Sequence, residues 1–153
     1  MASKSFSSVD GLKEEINKRI NKSLNNEIAE YVESKLKEHI DKDVYSTYTP
    51  VLYDRRKEDG GLMDEANIRK TVRSQELNVY EEAPLEGPRL GGSQFWNKDG
   101  LSKLIENGAH NPWNRKRYRW TKPRPFVTNT QKDINYRYSK IIKMLKERIE
   151  HDT

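Results

Sequence analysis

The chain has no cysteine. That excludes a disulfide framework and thiolate metal sites, and it fits a reducing compartment. No apolar run approaches the ~20 residues that cross a bilayer. The N-terminal stretch MASKSFSSVDGL has no apolar core of a secretory signal. A soluble, intracellular protein without a membrane partner is therefore expected. Apolar residues are scarce: 33% of the 153 residues are hydrophobic and 35% are charged, with a mean hydropathy of −1.09. Such a chain builds a small core and leaves long charged segments to solvent or to partners. Histidine is nearly absent as well. His39, His110 and His151 are scattered, and no HExxH, paired CxxC or phosphate-binding loop occurs. His110-Asn111 faintly suggests a nuclease pair, but a loop histidine is the simpler reading. The carboxylate pairs Asp64-Glu65 and Glu81-Glu82 have no third acid or histidine beside them. The expectation is a protein that is not an enzyme, with no catalytic residues, no metal and no cofactor.

The charge that is present is unevenly placed. Residues 101–149 carry thirteen Lys/Arg against three Asp/Glu, and the remainder sixteen against twenty-one. A dipolar chain of this kind suits an acidic polymer or head-to-tail assembly with its own copies. Eight of the fourteen aromatic residues are tyrosine, a side chain suited to interfaces because it buries a ring while keeping a hydroxyl wet.

Local patterns divide the chain. Residues 10–46 read as helix, with an apolar residue at every fourth position from Leu12 to Val44. At 3.6 residues per turn each step of four overshoots by ~40°, so the stripe winds around a straight α-helix. Either the helix bends, with Ser23-Leu24-Asn25-Asn26 its weakest point, or its two halves have different neighbours. Ser8 or Asp10 is placed to cap its start. The run YSTYTPVLYDRRKEDGGLMD at 45–64 follows, with Pro50 ending the helix and KEDGG forming a flexible loop. Leu62 or Met63 then re-enters the core. Residues 68–73 and 76–82 read as short strands from their alternation. Residues 83–94 hold two prolines and three glycines and read as a long loop. A short helix through Leu101, Leu104 and Ile105, capped by Asp99, closes at Gly108. Phe126 and Val127 read as a last short strand. Thr130 reads as the cap of a regular amphipathic helix with Ile134, Tyr138, Ile141, Ile142, Leu145 and Ile149 on one face.

Between them, NPWNRKRYRWTKPRP at 111–125 interleaves cations with aromatics. Arg115, Lys116, Arg117, Arg119, Lys122 and Arg124 beside Trp113, Tyr118 and Trp120 have the ingredients of single-stranded nucleic-acid binding. Trp, Tyr and Arg are also the side chains that dominate subunit interfaces, and the interface reading ranks first. The candidate partner-contacting residues are Tyr45, Tyr48, Tyr53, Arg55, Arg56, Trp113, Arg115, Arg117, Tyr118, Arg119 and Trp120. A small basic nucleic-acid-binding protein acting through 111–124 is the alternative.

Three landmarks occur in order: YxxYxPxxYxRRxxxGGLxD from Tyr45 to Asp64, LIENG at 104–108, and Arg124-Pro125-Phe126 ahead of the last helix. Together they resemble the tail-completion or neck proteins of long-tailed bacteriophages, a family of head–tail connector and minor capsid-type proteins, over roughly residues 28–150. The resemblance implies a small α+β subunit, in which a long N-terminal helix and a C-terminal amphipathic helix pack on a small antiparallel sheet with long loops. It implies one domain over 10–150 after a flexible N-terminus at 1–9, with exposed loops at 54–67, 83–98 and 109–125. It further implies a structural virion protein that assembles as a homo-oligomeric ring, six-fold or alternatively twelve-fold. The implied partners are a portal, adaptor or head-closure protein on the head side, a tail terminator or tail tube on the tail side, and genomic DNA in the lumen. Leu101-Ser102 and the heavy Arg/Trp insert at 111–122 depart from the family pattern.

Overall fold

A computed structural model describes residues 8–47, 49, 57–83, 100–108 and 122–151. It is an α+β fold, mostly helical, with one two-stranded antiparallel sheet. Helical backbone runs from Val9 to Tyr45 without a break, as α1 (Val9–Ser23), a π turn at Leu24–Ile28, α2 (Ala29–His39) and a second π turn at Ile40–Tyr45. The Ser8 hydroxyl accepts the Gly11 N–H at 3.1 Å and caps the start. The two wide turns explain the four-residue stripe. Over eight steps of four the stripe would drift by roughly 320° on a pure α-helix. Each π turn takes in one extra residue, roughly 100° of phase, so two of them cancel well over half of that drift. The first wide turn begins at Leu24, inside the predicted weak point.

The two halves also have different neighbours. The C-terminal chain forms α4 (Phe126–Tyr136) and α5 (Tyr138–His151), separated at Arg137. It runs antiparallel to the first helix, with α4 against α2 and α5 against α1. Polar contacts mark the register along this seam. Asn129 donates to Asp43 at 2.9 Å, Lys35 lies 3.6 Å from Asp133, and the Lys140 ammonium sits 4.3 Å from the Tyr31 ring centre. Arg148 lies 3.5 Å from Glu27, and Arg19 donates to the Ile149 carbonyl at 2.8 Å. Two expectations need correction here. Phe126 and Val127 begin a helix rather than form a strand, and Thr130 lies inside that helix, where its hydroxyl donates to the Phe126 carbonyl four residues back at 2.7 Å. The expected single helix is also interrupted at Arg137, whose φ of −95° and ψ of 19° leave the helical region.

The strands β1 (Ile68–Arg73) and β2 (Glu76–Glu81) form a hairpin in which Ile68 faces Glu81 and Arg73 faces Glu76. Ser74 and Gln75 both take positive φ, 49° and 67°, which matches the twist of a two-residue hairpin turn. The hairpin packs on the first π turn, and its tip reaches α1, where Gln75 donates to Asn17 at 2.9 Å. The core lies at the opposite end of the arm. It gathers Leu36, Ile40 and Val44 from the first helix, Leu62 from the loop, Ile68 and Ala83 from the hairpin, Ile105 from α3 (Gly100–Asn107) and Phe126 from α4. Eight buried side chains from five parts of the chain make the small core that the composition predicts.

Candidate functional site

The three landmarks meet at this core. Gly60 turns the chain with a φ of 75°, a conformation that glycine adopts without a side-chain clash. The Asp64 carboxylate then accepts the Gly60 N–H at 2.6 Å and the Ala66 N–H at 2.8 Å. Those two backbone donors, Ala66 first, hold its carboxyl below the usual aspartate range. Between them Gly61 and Leu62 are buried, so this part of the span expected to be an exposed loop belongs to the core. The Leu62 N–H donates to the Tyr45 hydroxyl at 3.3 Å. Tyr45 is half-buried against the core cluster, and the Lys57 ammonium lies 5.6 Å from its ring centre. Of the expected partner-contacting residues, Tyr45 is described. It acts within the chain, tying the end of the first helix to the loop. Tyr48, Tyr53, Arg55, Arg56, Trp113, Arg115, Arg117, Tyr118, Arg119 and Trp120 lie outside the described residues, as does Lys116.

The second and third landmarks form one joint. Helix α4 follows Pro125 and has no side-chain cap of its own. Glu106 of α3 supplies it: its carboxylate accepts the Val127 N–H at 2.8 Å, the Thr128 N–H at 3.0 Å and the Thr128 hydroxyl at 2.6 Å. Free N–H groups and the positive end of the helix dipole favour an anion there. The Arg124 N–H donates to the Ile105 carbonyl at 2.9 Å. Gly108, with a φ of 74°, lets the chain leave α3, and Phe126 is fully buried. Ile105, Glu106 and Gly108 of LIENG, and Arg124 and Phe126 of RPF, therefore each have a structural task. Lys122 is exposed, and Arg124 is half-buried beside α3.

The carboxylate pairs do not converge. Glu65 pairs with Lys37 at 3.0 Å, and Glu82 with Arg69 at 3.5 Å on the solvent side. Glu81 turns the other way. It ends the helix-facing row Leu77, Val79, Glu81 and is buried. One of its oxygens accepts the Ala83 N–H at 2.5 Å, while the other is buried with no hydrogen-bond partner among the described residues. Burial pushes its carboxyl up to about 7, against the smaller opposing pull of the nearby Ser102 hydroxyl, which donates to the Glu81 carbonyl at 3.1 Å, and of the Ala83 N–H. The sequence held a signal for this, since alternation from Leu77 and Val79 puts residue 81 on the same face. His39 lies 3.2 Å from Asp43, which in turn accepts from Asn129. His110 is outside the described residues. Among the described residues no group of three or more His, Asp or Glu is placed to hold a metal ion, and no helix is long and apolar enough to cross a membrane.

The sequence model of the YomN family matches residues 8–151. No curated protein and no solved structure matches the chain. The match spans nearly the whole length, including all three landmarks, and the chain belongs to the YomN family, which is associated with bacteriophages.

Proposed function

We propose that this YomN-family chain is a structural virion protein of a tailed bacteriophage, a ring-forming neck or tail-completion subunit that joins the DNA-filled head to the tail. The observation that carries the reading is the use to which the landmarks are put. Asp64 closes the loop that carries Leu62 into the core, Glu106 of α3 caps α4, and Phe126 is buried in that same core. Polar side chains committed to N–H groups and caps make a rigid wedge, which is what an assembly subunit needs. The phage association of the family supports the same direction.

The role is mechanical rather than catalytic. Copies surround the DNA path between portal or adaptor and the tail terminator or tube. The basic segment 101–149 faces protein neighbours or the outer rim, because a conduit with a cationic wall would hold DNA instead of letting it slide. The protein resides in the host cytoplasm until assembly and in the virion neck afterwards. Cryo-electron microscopy of purified virions tests this. A ring of copies carrying the 9–45 helix and the hairpin, between portal and tail, is expected. Virions whose mass spectra lack the chain would overturn it.

A further inference from the structure

We propose that the β1–β2 hairpin is the subunit-to-subunit joint, and that its partner is the hairpin of a second copy, added head-to-tail so that the outer edge of β1 receives the outer edge of β2. This deepens the ring reading above and rests on it.

The backbone supplies the first half of the argument. The two-residue turn makes Arg73 and Glu76 the closing pair, and the Glu82 N–H donates to the Asn67 carbonyl at 2.8 Å. The internal ladder therefore uses residues 67, 69, 71 and 73 with 82, 80, 78 and 76. The N–H and C=O groups of Lys70 and Val72 point away from the hairpin on one edge, and those of Leu77 and Val79 on the other; the Ile68 N–H is already bound to the Glu65 carbonyl. Among the described residues neither edge pairs with another strand. Unpaired edges of this kind are templates for strand addition.

Charge selects the occupant. Strand β1 carries Arg69, Lys70 and Arg73 and no anion, whereas β2 carries Glu76 as its exposed anion, Glu81 being buried, and no cation. Arg69 already pairs with Glu82 inside the hairpin. Lys70 and Arg73 have no ion-pair partner among the described residues, and Glu76 meets no cation there. A two-fold contact of β1 on β1 would bring two cationic strands together, and β2 on β2 would bring two acidic ones together. Like charges facing across strands are destabilising. Only β1 on β2 matches the signs. That contact is heterologous, so it closes into a ring or propagates, and never stops at a two-fold dimer.

The test uses three forms of the full chain in sedimentation and mass photometry. One carries Lys70→Glu with Arg73→Glu, making both edges acidic. The second carries Glu76→Lys with Asn78→Lys, making both edges basic. The third is the mixture of the two. Wild type is expected to form closed higher-order species. Each variant alone is expected to need about tenfold or more higher concentration to assemble, given the worth of cross-strand charge pairs. The mixture is expected to recover assembly. Circular dichroism checks that each variant folds. Lys70→Pro is a second probe that leaves charge on the other positions intact; it removes an outward N–H that the internal ladder does not use, and should block assembly too. Rings that form equally well in every variant overturn the hairpin joint while leaving the neck role standing. Loss of assembly in only one of the two charge variants, with no recovery on mixing, overturns it in favour of a two-fold contact. A wild-type chain that stays monomeric at every concentration also overturns it, and the neck role is then decided by the particles.

Discussion

Glu81→Gln isolates the one buried carboxylate of the described core. In the folded chain burial holds the proton on Glu81 up to about 7, whereas the unfolded chain releases it near the ordinary glutamate value of 4.5. A folded pKa above the unfolded one gives stability that is full at low pH and lost as pH rises. The loss here runs between the two values, because the unfolded state alone gains by ionising there. The separation, at 1.36 kcal/mol for each pH unit, sets a ceiling of about 3 kcal/mol; the Ala83 N–H and residual water contact bring the expected effect to about 2 kcal/mol. Glutamine keeps the acceptor for Ala83 and cannot ionise. Below about pH 5 both forms bury an unpaired donor, so their stabilities should be close. By about pH 8 the glutamine variant should be the more stable by about 2 kcal/mol, a large share of a marginal total. Urea unfolding across that range reads the difference directly. Parallel stability profiles for the two proteins would refute the burial argument.

Three further outcomes follow from the same core. Glu106→Ala should cost about 1–2 kcal/mol, because it strips the cap from α4, and hydrogen exchange should show faster opening at Val127 and Thr128 while α2 stays protected. Phe126→Ala should cost about 3–5 kcal/mol in urea unfolding, since its side chain is fully enclosed where five parts of the chain meet. Ser23→Ala should stabilise by about 1 kcal/mol in the same assay, because the serine hydroxyl is buried mid-helix without a partner among the described residues and alanine is the better helix former.

The parts of the fold written in local periodicity were legible. The hairpin could be read from the alternation of Leu77 and Val79, the Ser8 cap from its position, and the long helix from its stripe. The four-residue spacing showed that a straight α-helix with one neighbour would not do. It did not show that π turns at Leu24–Ile28 and Ile40–Tyr45 would absorb the drift, since that choice depends on what packs outside. The start of α4 was misread for a similar reason. Its cap comes from Glu106, some twenty residues back in sequence, so nothing next to Phe126 announces a helix. Thr130 looks like a cap and instead bonds back along its own helix. Among the candidate partner contacts, the Tyr45 hydroxyl works within the chain, where it accepts the Leu62 N–H. The second and third landmarks form one joint and the first closes the loop that feeds Leu62 into the same core, and their separate letters carry no sign of that.

The most direct test of the neck role is deletion of the gene from its phage, followed by negative-stain microscopy of the lysate. Filled heads and complete but separate tails should accumulate, and supplying the chain in trans should join them. Normally joined, infectious particles in its absence would contradict it.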